Sequence, residues 1–257
     1  VSVASLFGFP KYDLKHSSIA TIVEERSLER SRTLERDIDL TRFGFAELPG
    51  TKTETESIAE ILLANQWETA LHLGDEALEE VIKAVKSPNI LHIATHGFFL
   101  DDVEGKDQLQ LGVNTAQSRK NPLLRSGLLL AGAAQTVQGD YQNKTENGIL
   151  TAYEAMNLDL DGTDLVVLSA CETGRGEVKS GEGVYGLQRS FQVAGAESLI
   201  MSLWKVNDDA TQLLMTNFYR NWLSGLDKNA AFKKAQTTVR AQFPEPYYWG
   251  AFVMVGG

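Results

Sequence analysis

Two side chains in this 257-residue sequence have the type and setting for nucleophilic chemistry, His96 and Cys171. Each follows a short apolar run: His96 comes after ILHIAT (residues 90–95) and Cys171 after LVVLSA (165–170). Such runs read as strands, and in an open α/β sheet ligands bind beyond the carboxyl ends of the strands. The interval between the two has room for one insertion and one crossover helix, so the strands are expected to be neighbours. A thiolate is a strong nucleophile, and an adjacent imidazole can take its proton and later protonate a leaving amine. The Gly-rich stretch after Cys171 leads into a helix whose N-terminus would favour the thiolate. Gly97 leaves room beside His96 for a substrate carbonyl, and its N–H would join that of Cys171 as an oxyanion hole. The plainer reading is that a lone Cys at a strand end is a small buried hydrophobe and a His before Gly is a turn residue.

The other motifs carry less. His16, His72 and His92 read as structural. His92 and His96 have the i, i+4 spacing that pairs metal ligands on a helix, but they lie on a strand, no Glu follows His92, and no third ligand is in view. A metal site at this pair is therefore not expected. Residues 181–186 (GEGVYG) match G-x-G-x-x-G, yet Cys171 to Ser180 separate them from their strand. Lys179-Ser180 looks like a P-loop ending, with Val178 where the Gly should be. Neither is a convincing nucleotide site. No G-x-S-x-G or S-x-x-K stands at a strand end, which argues against a serine hydrolase.

The elements that must position these groups alternate strand-like and helix-like segments, the pattern of a largely parallel sheet flanked by helices. Val1 to Phe9 reads as a first strand, and the charge-rich residues 24–42 as a solvated loop or surface helix. Ile58, Ile61 and Leu62 recur at helical spacing, Leu71 to Leu73 makes a short strand, and Asp75 opens a second helix with Ala77, Leu78, Val81, Ile82 and Val85 on one face. Residues 101–148 read as one long insertion carrying a hairpin around the apolar patch Ser126 to Ala133. Thr151 and Glu154 form a capping box. After the continuous apolar strand at 165–170 come a helix with Val184, Leu187, Phe191 and Ala194 on one side, a strand at Ser198 to Trp204, helices near 209–224 and 229–241, and a last strand near 248–255. The expected architecture is one α/β domain, residues 1–257, with about six strands.

Composition narrows the function classes. With 24 basic and 34 acidic residues the formal charge is −10, so nucleic acid is not expected as a direct partner. An acidic protein more readily attracts basic ligands or peptides. Hydrophobic residues make up 43% of the chain, enough for a sizeable core. The longest apolar stretch, Leu128 to Ala134, is far short of a membrane span, so no membrane is expected. No signal peptide is read, and a single cysteine fits a reducing compartment, so the expected location is cytoplasmic.

The segments LHIATHGFF (91–99), LLRSGLLLAGA (123–133), DLVVLSACETGRG (164–176), GEGVYGLQRSFQVAGAESLIMSLWKVND (181–208) and YYWGAFVMVG (247–256) resemble the CHAT domain, a family of the caspase-like clan of cysteine peptidases related to separase. The resemblance runs from about Leu48 to the end. It implies a caspase-like fold, a His96–Cys171 dyad, and cysteine endopeptidase activity on a protein or peptide substrate with no metal or organic cofactor. The alternative is a catalytically silent regulatory or scaffold module of the same fold. The likeness of Leu203 to Asp208 (LWKVND) to a separase segment implies that Asp208 pairs with a basic P1 side chain. Asp208 equally reads as a cap of the helix that follows. Ser169 would line the pocket floor, Trp204 would either flank the substrate or pack in the core, and Glu182 is a further pocket candidate. CHAT domains usually follow TPR repeats or sensor modules. The start at Val1 inside a strand is therefore read as that of an excised or processed domain, the alternative being a start after Met removal, with an activating partner or adjacent regulatory domain expected. The insertion at 101–148 and the loop at 172–183 are the expected movable parts.

Overall fold

The computed structural model describes residues 1–14, 45–99, 109–110, 113–114, 121–138, 146–172, 182–204 and 207–256. The charged segment 24–42 and the Gly-rich stretch after Glu172, up to 181, lie outside the described residues, as does much of 101–148.

In chain order the strands are β1 (Val3–Pro10), β2 (Glu68–Gly74), β3 (Ile90–Phe99), β4 (Leu109–Gln110), β5 (Val113–Asn114), β6 (Ser126–Leu129), β7 (Ile149–Thr151), β8 (Leu165–Glu172), β9 (Ser198–Ser202) and β10 (Phe252–Gly256). The α-helices are α1 (Pro49–Ala64), α2 (Glu79–Ala84), α3 (Ala133–Gln138), α4 (Ala152–Ala155), α5 (Glu182–Val193), α6 (Asp208–Leu223), α7 (Lys228–Gln242) and α8 (Pro246–Trp249). The main sheet has eight strands among the described residues. Six of them run in the order β10-β9-β8-β3-β1-β2, and β6 branches from β3 with β7 beside it. The pairs β1/β2, β1/β3, β3/β8 and β8/β9 are parallel, while β10, β6 and β7 join antiparallel. The architecture is a mostly parallel α/β sheet flanked by helices, consistent with a caspase-like fold. The six-strand path matches the sequence expectation. Of the two further strands, β6 is the apolar patch of the insertion and β7 follows directly after the insertion.

Helices cover both faces of the sheet, so the central strands are apolar on both sides. On one face Leu165 and Val167 of β8 pack with Ile58 and Leu62 of α1, Leu214 and Phe218 of α6, and Phe232 of α7. On the other, Val166 and Leu168 pack with Ile82 of α2, Ala155 of α4, and Leu187 and Phe191 of α5. The Thr151/Glu154 capping box forms as expected at α4. Helix α2 is shorter than its apolar period suggested. Leu78 is still extended at its N-cap, and Glu76 accepts from the Leu78 N–H in a turn after Gly74, so the helix begins at Glu79 and not at Asp75.

One polar knot ties the insertion to this frame. Lys83 of α2 pairs with Glu79 at 2.7 Å and with Glu146 and Glu154 at 3.0 Å each, while Glu79 accepts from the N–H of Ile149 in β7. The three carboxylates converge closely enough to suggest a metal, but Lys83 already supplies their cation. The Glu79 side chain is fully buried, and burial pushes its pKa up from 4.5 to about 7 against the pull of Lys83. The folded protein thus holds this proton more tightly than the unfolded chain. The stability contributed is present below about pH 4.5 and is lost as the pH rises to 7. Urea unfolding across this window should show wild type losing about 2 kcal/mol relative to Glu79→Gln, whose profile should be flatter. Parallel profiles would show that Glu79 does not titrate in this range.

Candidate active site

The strand order reverses between β1 and β3: the chain leaves β1 toward β2 and then returns to build β3, β8 and β9 on the other side. In such sheets the loops at that point diverge and leave a crevice at the carboxyl ends of the strands. His96 lies there. It is not beyond its strand, as the sequence suggested, because β6 pairs with His96–Phe99 and prolongs β3 to Phe99.

β3 and β8 are adjacent parallel strands, and their register sets His96 opposite Cys171. Neighbouring strands lie about 4.8 Å apart, and positions in register share a face of the sheet. Cys171, like Glu172 after it, is placed by the backbone of β8. Ser169 and His92 lie on the same face, two residues before Cys171 and four before His96.

The imidazole of His96 is 5% exposed and is held by groups that no motif announced. Its Nε2 lies 2.8 Å from the backbone oxygen of Ala46. A carbonyl only accepts, so Nε2 carries the proton and Nδ1 is the basic nitrogen of the neutral ring. Tyr12 packs its ring 5.3 Å from the imidazole, and its hydroxyl accepts from the His96 N–H at 3.2 Å. Burial raises the pKa of Tyr12 well above its ordinary value, so the phenol stays neutral. A sharp bend directs the chain there. Phe9 takes φ 48°, a conformation rare for an aromatic residue, with its N–H donated to Thr51 Oγ1 at 3.0 Å.

Below the dyad positions lies a buried polar network. Glu54 of α1, 2% exposed, accepts from Ser169 Oγ at 3.0 Å and from His92 Nε2 at 3.0 Å. His92 Nδ1 lies 3.2 Å from the hydroxyl of Tyr219 on α6. One assignment satisfies every group. His92 Nε2–H donates to one Glu54 oxygen, Ser169 donates to the other, and the Tyr219 hydroxyl pairs with His92 Nδ1. Burial, reinforced by the Glu54 charge, raises the Tyr219 pKa well above its ordinary value. Ser169 lies on the same strand face as Cys171, with its hydroxyl engaged by Glu54.

The remaining candidates separate. Asp208 opens α6 but does not cap it; the cap is Asn207, which accepts from the N–H groups of Asp209 and Ala210 at 2.9 and 3.2 Å. Asp208 is exposed, and its carboxylate packs against Gly50 in the first turn of α1, where even a methyl group would overlap it. Trp204 is half-buried against the core and donates its indole N–H to the backbone carbonyl of Tyr247 at 3.0 Å. Gly97 sits between β8 and β6, opposite Glu172 and Leu128. Glu182 begins α5, so residues 182–186 are a helical turn and not a phosphate loop closing directly on β8.

The CHAT domain family profile matches residues 11–257, essentially the whole chain. Tetratricopeptide repeat protein 28 of Homo sapiens is 34% identical over 110 residues, which are 42% of this chain and 4% of that protein. Its Mus musculus counterpart is 33% identical over 110 residues, with the same shares. The chain therefore spans a small part of the length of these curated relatives. No described helix is long and apolar enough to cross a membrane. The motifs, the sheet order and the profile agree that the chain belongs to the CHAT domain family, within the caspase-like peptidase clan.

Proposed function

We propose that this domain is a cysteine endopeptidase in which His96 and Cys171 act as a dyad. The observation that carries the reading is the β3/β8 register that sets the two residues opposite each other, with the His96 tautomer fixed by Ala46. In this mechanism His96 Nδ1 takes the thiol proton and the Cys171 sulfur attacks the substrate carbonyl carbon. The N–H groups of Gly97 and Cys171 are assigned to the developing oxyanion. Collapse breaks the C–N bond as the imidazolium protonates the leaving amine. His96 then deprotonates a water molecule, which attacks the thioester and returns the thiol and a carboxylic acid product. Asp208 is assigned to a basic P1 side chain, Ser169 to the floor of that pocket, and Trp204 and Glu182 to its flanks.

A thiol nucleophile fits a reducing compartment, and the cytoplasm is the proposed location. The names of the relatives support an adjacent tetratricopeptide-repeat region as the regulatory partner. A silent scaffold is the second reading, and the burial of His96, with 5% of its surface exposed, favours it. A peptide-library cleavage assay with wild type and Cys171→Ala separates the two. The peptidase reading expects cleavage after Arg or Lys, abolished in the variant; no cleavage with any activating region present supports the scaffold.

A further inference from the structure

We propose that Glu54 is the positioning residue of the dyad, an inference that rests on the peptidase reading above. Its carboxylate reaches both dyad-bearing strands, His92 on β3 and Ser169 on β8, from one helix, α1. Both contacts lie on the dyad face, Ser169 about 7 Å along β8 from Cys171. The same stretch of chain carries two further links at four-residue intervals. Ala46, just before α1, holds His96 Nε2, and Gly50, in its first turn, seats Asp208. The base, the candidate P1 acid and the pocket floor are therefore all referred to one segment, residues 46–54.

The C-terminal half of α1 is anchored by Ile58, Ala59 and Leu62 in the core. Its N-terminal half has no comparable apolar anchor: its buried residues there are Thr51, Glu54 and Thr55. Thr51 donates its hydroxyl to the Leu48 carbonyl and accepts from the Phe9 N–H of the edge-ward strand β1, and Thr55 donates to the Thr51 carbonyl, so neither reaches β3 or β8. Glu54 is the side chain there that bonds to β3 and β8, so it sets the height of the Ala46 carbonyl above His96. A carboxylate is suited to this, since it accepts two charge-assisted hydrogen bonds and needs no donor of its own.

The test uses three substitutions and two readouts. Glu54→Ala removes the link, Glu54→Asp keeps the charge but falls one methylene short, and Glu54→Gln keeps the length, since the Ser169 hydroxyl can rotate to accept. The first readout is steady-state cleavage of a basic-P1 peptide. The second is the Nε2–H resonance of His96 in protein carrying 15N-labelled histidine, which needs no turnover. Expected for Glu54→Ala and Glu54→Asp are a kcat at least about tenfold lower with KM within about threefold, and a His96 Nε2–H signal shifted or lost to exchange. Glu54→Gln should keep the signal and stay within about threefold of wild-type kcat. Should Glu54→Ala not fold, Glu54→Asp decides: wild-type kcat with an unchanged His96 signal would overturn the proposal. If wild type itself cleaves nothing, the peptidase reading fails, and the resonance alone still judges whether Glu54 positions His96.

Discussion

Replacing Cys171 or His96 by Ala is expected to lower kcat/KM for a cleavable peptide by about three orders of magnitude or more. The expectation follows from the division of labour between the two groups. A thiol at neutral pH is mostly protonated and attacks slowly; an imidazole in register with it removes the proton and returns it to the amine. Groups that act as a unit are not additive, so the double variant should be no slower than the worse single one. A double variant much slower than either single one would mean that the two residues work independently. The stability effects should differ. Cys171→Ala exchanges one small side chain for another, whereas His96→Ala removes a buried ring bonded to Ala46 and packed on Tyr12. Differential scanning calorimetry should therefore show a Tm lower by several degrees for His96→Ala and nearly unchanged for Cys171→Ala.

The second large effect concerns P1. Asp208→Ala should lower kcat/KM for an Arg P1 peptide by about a hundredfold, because a paired carboxylate–guanidinium contact is charged and bidentate. Lys should lose less, since an ammonium makes a point contact, and apolar P1 peptides should change little. Gly50→Ala should act in the same direction without removing any charged group, since its methyl would displace the Asp208 carboxylate and the start of α6. Profiling P1 across all residues for the three proteins checks both. A wild-type preference for apolar P1 residues, untouched by either substitution, would remove Asp208 from the pocket.

The fold and the adjacency of His96 and Cys171 were legible because each rests on a local pattern. Apolar runs at 90–95 and 165–170 mark buried parallel strands, and β3 and β8 do pair in parallel with His96 opposite Cys171. What went unread was non-local. The Ala46 carbonyl belongs to the main chain of a residue with no polar side chain, and no sequence pattern reports where a backbone oxygen will point. Tyr12 reaches His96 through the bend at Phe9, a conformation that residue type does not foretell. The β6 pairing that prolongs β3 past His96 depends on a segment more than 25 residues downstream. Glu54 did leave a trace: with Ile58 and Leu62 it continues an i, i+4, i+8 row, so a carboxylate lies on the apolar face of α1. A charged residue in that row is paired when buried, and that pairing points to the site.

The most direct measurement is covalent capture of the nucleophile. Wild-type protein and His96→Ala, each with any activating region present, are treated with a peptide electrophile carrying Arg at P1, and the adduct is mapped by mass spectrometry. Cys171 should be modified rapidly in wild type and at least about a hundredfold more slowly in His96→Ala. Equal rates in the two proteins, or no modification of Cys171 at all, would contradict the dyad.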